Sequence, residues 1–203
     1  MNDTINVYSM HWDKLGDHVD FFQLLGAAMQ NVARGLTEMV GRPISINTTN
    51  VERIPLGKVP DWLGDPEAEM VGVYLLIDGD IAGQVILMFS LEQTLRLVDL
   101  LLGEPTGTTT ELDDLARSAI AETGNLATSY FLNEVAKLTN TDVRPSPPAV
   151  MVDMLGAIFD VVTAPMAAIG DELIVVEAEF KEPDRIVTAH FWVMPYPQLE
   201  DYI

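Results

Sequence analysis

One order of elements is written twice along this chain of 203 residues. Residues 17–103 carry a helical pattern, a short extended piece, an irregular segment, a pair of strand-like apolar runs and a second helical pattern, and the same order resumes near residue 110. A shift of 99 positions sets Val32 on Phe131, Leu36 on Val135, Met39 on Leu138, Ile44 on Val143 and Val51 on Val150, apolar on apolar each time. Each half is too small for a full core of its own, so the repeat predicts that the two pack together and share one. The expected architecture is a single α+β domain over 1–203, internally duplicated. Its repeats, 17–103 and 110–203, are related by a pseudo-twofold axis, with an antiparallel sheet and long helices packed on it.

Local signals place the elements. From Asp17 to Gly41 apolar residues recur at helical spacing, and Gly41 supplies a stop. Ile44–Ile46 reads as a short extended piece, and VGVYLLIDGDIAGQVILMFS (71–90) as two strands around a hairpin cue at Asp78-Gly79. Ser90 with Gln93 forms a capping box for a helix ending at Gly103. EPTGTTT (104–110) is a turn-rich connector, and Thr110 with Asp113 predicts the cap of the helix that follows. MVDMLGAIFDVVTAPMAAIG (151–170) has helical spacing weakened at Pro165, and two further strands flank Glu182-Pro183-Asp184.

Composition narrows the function classes. No apolar run reaches the roughly 18 residues of a membrane span, and the first ten residues lack the order of a secretory signal. A formal charge of −20 disfavours phosphate backbones and anionic lipid heads, which leaves a protein partner with a basic rim. Zero cysteines fit a reducing cytoplasm and remove thiol chemistry. His11, His18 and His190 are too scattered for a zinc site, Asp61, Asp65, Glu67 and Glu69 read as a solvated acidic loop, and the ten methionines read as core filler. Glycine-rich phosphate loops and nucleophile elbows are absent from the sequence.

The helix that begins near 113 carries an unusual row. With Ser118 at zero and about 100° per residue, Glu122 falls near 40°, Asn125 near −20° and Ser129 near 20°. Ala119, Ile120, Leu126, Ala127, Tyr130, Phe131, Val135 and Leu138 occupy the other side, so the polar row is expected to face outward. Glu-x-x-Asn alone is an ordinary solvated pair. The longer pattern Ser118-x3-Glu122-x2-Asn125-x22-Pro148 is far more specific, and it resembles the signature of the CheC, CheX and FliY phosphatases of chemotaxis. The text AETGNLATSYFLNEVAKLTNTDVRPSPP with VDMLGAIFDVV is similar to the second half of CheC. The likeness is strong over 110–180 and weak over 17–103.

That resemblance implies a CheC-like fold and a phosphatase acting on the aspartyl phosphate of a CheY-like response regulator. By resemblance Asn125 orients the attacking water, Glu122 grips the regulator's lysine, Ser118 neighbours the pair and Pro148 holds the following loop clear. The chain then needs no cofactor or metal of its own, because Mg2+ belongs to the regulator. Shifting the motif back by 99 gives Val19, Gln23, Gly26 and Thr49, none of the family's types, so the first half is expected to be degenerate. A CheD-like deamidase stays open as a second partner, through the segment around 153–168. The alternative to an enzyme is a non-catalytic CheD-binding adaptor or a FliM-like flagellar switch module.

Overall fold

The computed structural model describes residues 21–59, 61, 64–164, 172–182 and 185–196. The longer helices among the described residues are α1 (Phe21–Val40), α2 (Leu91–Leu102), α3 (Asp114–Thr139) and α4 (Leu155–Thr163). The strands are β1 (Ser45–Pro55), β2 (Glu69–Gly79), β3 (Gly83–Ser90), β4 (Val143–Pro145), β5 (Ala149–Met154), β6 (Glu172–Glu182) and β7 (Arg185–Pro195). Among the described residues the seven strands form one sheet in the order β1-β6-β7-β3-β2-β4, with β5 also paired to β2, and every pairing is antiparallel.

The registers repeat when the two halves exchange places. Val51 lies opposite Val176, and Val150 opposite Val73; Ser45 lies opposite Lys181, and Arg144 opposite Asp78. The exchange pivots on β3 and β7, where Val85 faces Val193 and Leu87 faces Phe191. Helices α1 and α3 follow the same rule. A Cβ on Gly35 would sit 2.5 Å from Tyr130 Cε2, and the Asn31 amide donates to Glu134 Oε1 at 2.7 Å. Positions 35 and 31 become 134 and 130 under the shift of 99.

Both edges carry one extra residue at corresponding places. In β1 the register slips between Thr48 and Asn50. On the other edge Ile77 faces Pro145 and Tyr74 faces Ala149, so Leu75 and Leu76 oppose three residues, Ser146, Pro147 and Pro148. Ser146 N–H donates to the Leu76 carbonyl at 2.9 Å and its Oγ accepts from Leu76 N–H at 3.0 Å. The prolines after it have no N–H to leave unpaired, so a bulge is where an edge tolerates them.

The sheet is a middle layer. On β2, Val71, Val73, Leu75 and Ile77 point to the face covered by α1, α2 and α3, where they meet Val32, Leu36, Leu97, Ile120, Phe131 and Val135. Met70 and Tyr74 point the other way, to a smaller core with Leu155, Ile158 and Val162 of α4, Trp192 and Met194. Strand β3, covered on both faces, is buried from Gly83 to Phe89, which is why its sequence reads as an unbroken apolar run. Gln84, fully buried, accepts from the Tyr74 hydroxyl at 2.6 Å and donates to the carbonyl of Val162, tying α4 to the sheet.

Several sequence expectations need correction. The extended piece at Ile44–Ile46 is the start of an eleven-residue strand, because β6 pairs with it as far as Pro55. Asp78-Gly79 is not the hairpin turn. Gly79 pairs with Val143 at φ 125, and a Cβ there would collide with the Asp142 carbonyl, so its glycine serves a close backbone approach and the chain reverses over 80–82. Gln93 closes only half of the capping box: Ser90 Oγ accepts from Gln93 N–H at 3.2 Å, but the Gln93 side chain accepts from Thr188 N–H at 3.2 Å instead of turning back. Asp113, not Thr110, caps α3, accepting from Ala116 N–H at 2.8 Å. Residues 151–154 are strand and not helix, because the free edge of β2 takes them into its ladder. Pro165 and the segment after Tyr196 lie outside the described residues.

Candidate functional site

Helix α3 is the element on which the predicted site residues gather. Its start is held by the Asp113 cap and its end by Asn140 in the left-handed conformation at φ 53. The connector before it is tied down by Asp99, a buried carboxylate on α2 that accepts from Gly107 N–H at 2.6 Å and Thr109 N–H at 2.7 Å. Burial alone would push the Asp99 carboxyl up; the hydrogen bonds from Thr109, Gly107 and Thr108 outweigh it and hold the group below its ordinary value.

One side of α3 is buried through Ala116, Ile120, Thr123, Gly124, Ala127, Thr128, Phe131 and Val135. Thr123 sits there at no polar cost, since its hydroxyl donates to the Ala119 carbonyl at 2.9 Å. At Gly124 the helix touches the sheet: a Cβ would lie 2.5 Å from Val73 Cγ1. Ala119, Leu126 and Tyr130, expected in the core, are half-buried flanks, and the side chain of Leu138 is outside the described set.

The opposite side carries the row. Ser118 and Glu122 are exposed, Asn125 and Ser129 half-buried. Glu122 and Asn125, three residues apart, have Cβ atoms about 5–6 Å from each other. Among the described residues neither side chain is held by a hydrogen bond or ion pair, so both polar ends are available to a partner. Pro148 is half-buried in the bulge between β4 and β5. It stands one strand over and two residues along from the Gly124–Val73 contact, because Val73 faces Val150. The structure therefore brings Ser118, Glu122 and Asn125 onto one surface and sets Pro148 on the adjoining sheet edge.

Of the matching positions of the first half, only Gly26 can be placed with its surroundings. Val19 and the side chains of Gln23 and Thr49 lie outside the described residues, and Gly26 on α1 has open space where a side chain would stand. A separate depression of about 440 Å³ opens on the other face of the sheet, with His190, Glu177, Trp192 and Met70 among its lining. Burial holds His190 below its ordinary value, partly opposed by the Glu177 carboxylate 3.7 Å away. Among the described residues no group of three His, Asp or Glu side chains is placed to hold a metal ion, and no helix is long and apolar enough to cross a membrane.

Gly124 is the residue of this region that the sequence reading passed over. The signal was present, since a glycine inside an otherwise unbroken helix costs about 1 kcal/mol against alanine and calls for a packing reason.

Comparison with known proteins bears on the same segment. A model of the CheC-like family matches residues 115–152, the stretch holding Ser118, Glu122, Asn125 and Pro148. The CheY-P phosphatase CheC of Bacillus subtilis is 23% identical over 167 residues, covering 80% of each chain. The crystal structure of Thermotoga maritima FliY superposes with a TM-score of 0.72 at 20% identity, over 94% of this chain and 92% of that one. CheX from Borrelia burgdorferi, solved as a complex with CheY, BeF3 and Mg2+, superposes with a TM-score of 0.51 at 17% identity, over 88% of this chain and 99% of that one. The chain is therefore similar to the CheC-like family over the α3–β5 segment, and its sheet and helix arrangement is similar to that of FliY and CheX.

Proposed function

We propose that this chain is a phosphatase that hydrolyses the aspartyl phosphate of a CheY-like response regulator, with α3 as the inserted element. The observation that carries the reading is the pair Glu122 and Asn125, without a hydrogen bond or ion pair among the described residues and on the outward side of a helix whose other side is packed. Support comes from a relative named as a CheY-P phosphatase and from a structural neighbour solved with CheY bound.

An acyl phosphate carries its own good leaving group, so hydrolysis chiefly needs a water held in line with phosphorus. A side-chain amide suits that task, because its carbonyl accepts from the water and its N–H donates to it or to a phosphoryl oxygen. Asn125 takes this role, and Glu122 pairs with the regulator's lysine to fix the depth and register of docking. Ser118 lies one turn back as a hydrogen-bonding neighbour, and Pro148 keeps the β4–β5 edge from closing over the row. The catalytic cation belongs to the regulator's acidic pocket, so no metal ligands are asked of this chain. The first half, lacking an amide at Gly26, takes no part in hydrolysis.

The test is the decay of a phosphorylated CheY-like regulator with and without the chain. Asn125→Ala lowers kcat about 100-fold or more, the scale of losing one positioning donor, while Glu122→Ala raises KM about tenfold. Full activity in Asn125→Ala overturns the assignment. A second reading, a CheD-binding adaptor without turnover, draws on Met154 and Val161 at the α4 end, 50% and 61% exposed. It takes over if the parent chain leaves regulator decay unchanged while binding a CheD-like deamidase.

A further inference from the structure

The row on α3 does not begin at Ser118. Leu115, one turn earlier, falls near 60° on the scale that puts Glu122 near 40°, so the two stand almost in line, two turns apart. Its side chain is 60% exposed, although its neighbours in the chain, Ala116 and Leu112, are drawn into the core. Of the large apolar side chains exposed to this degree among the described residues, it is the one on α3. Single exposed leucines are ordinary on protein surfaces. Three features set this one apart. It shares a face with the Glu122 and Asn125 pair; its turn is fixed by the Asp113 cap and by Arg117 Nε, which donates to the Leu112 carbonyl at 3.2 Å; and three exposed acids, Glu111, Asp113 and Asp114, immediately precede it in the chain, with the exposed Arg117 two residues after it.

An apolar group in a rigid turn with charged neighbours is the anatomy of an interface anchor. Resting on the phosphatase reading above, we infer that Leu115 is a docking residue for the response regulator, seated in an apolar depression of that partner with basic residues around it. The distances agree. Along the helix axis Leu115 stands about 10 Å from Glu122 and about 15 Å from Asn125, within the span of a patch of about 800 Å² on each partner. Glu122 supplies register by charge, and Leu115 supplies contact area at the far end of the same helix face. The acids preceding it repel regulators whose matching surface is acidic, so this turn also selects among them.

Leu115→Ala and Leu115→Gln, both compatible with helix, separate the possibilities. The expected result is binding of the beryllofluoride-activated regulator weakened about tenfold, KM raised to the same extent, kcat within about twofold of the parent, and an unchanged melting temperature. Equal affinity of both variants and parent overturns the inference while leaving the phosphatase reading intact. A loss in kcat with KM unchanged also overturns it, since a docking contact acts on binding. If the parent chain binds no activated regulator, or Asn125→Ala keeps full kcat, the underlying reading has failed, which the Leu115 variants alone would not produce. Should Leu115→Ala lower the melting temperature, Leu115→Gln decides, because a side chain needed only for packing is not replaced by a polar one without the same loss.

Discussion

Gly124 sets how closely α3 can lie on the sheet beside Asn125, the residue proposed to position the water. It lets α3 approach β2 until only a hydrogen fits against Val73, and Asn125 follows it directly. In Gly124→Ala the new methyl meets Val73 Cγ1 at 2.5 Å and Cβ at 2.7 Å, so the helix must lift or the strand give. We expect destabilisation of about 1–3 kcal/mol in chemical denaturation, the usual scale of overpacking, with a fall in phosphatase kcat as Asn125 is displaced. Val73→Ala in the same chain removes the Cγ contacts and restores part of both; restoration of neither shows that the contact does not set the height of the helix. Asn125 and Glu122 themselves were legible from spacing, since three residues on a helix always share a side. Gly124 was visible as an anomaly, but its partner is 51 positions away, and nothing local names Val73.

At the scale of elements, α3 depends on how its first turn is tied to α2. Asp99 gathers the 107–109 backbone, and that connector delivers Asp113 to its capping position. Asp99→Ala removes the charged acceptor of the Gly107 and Thr109 N–H groups and should cost about 1.5–3 kcal/mol, measured by denaturant unfolding, with amide exchange rising across 104–117. The pH dependence follows from the lowered Asp99 value. The folded state favours the ionised carboxylate, so its contribution is present above the ordinary carboxyl value near 3.8 and is lost as pH falls through the lower folded value. Unfolding followed on acidification below about pH 4 should show a slope that Asp99→Asn reduces. Elements with long periodic patterns, α1, α2 and α3, were legible in sequence. The segment 151–154 was misread because Met151 and Met154 also fit helical spacing, and the free edge of β2 settles the matter by pairing with it.

Across the whole molecule, we propose that the chain is one domain of two repeats, 17–103 and 110–203. The pairings cross between them: β1 needs β6, β4 and β5 need β2, and β3 meets β7 at the centre. Residues 1–109 and 110–203 expressed apart should each lack cooperative unfolding, because every edge pairing and the α1–α3 contact are lost; mixing them should restore far-UV circular dichroism and a single transition. A separately folded half would show that the shared sheet is not what holds the halves.

The sequence by itself determined what repeats: helical spacing, alternating strands, the shift of 99, and a carboxylate and an amide on one side of a helix. Those are local or periodic properties, and the geometry of a single element converts them into faces. Only the tertiary structure decided which edge takes 149–154 into the sheet, where Pro148 bulges, that Gly79 serves a close strand contact and not a turn, and that Leu115 is left outside the core. Each of these turns on groups dozens of residues apart competing for the same hydrogen bonds or the same space, and that competition is settled only when the layers close.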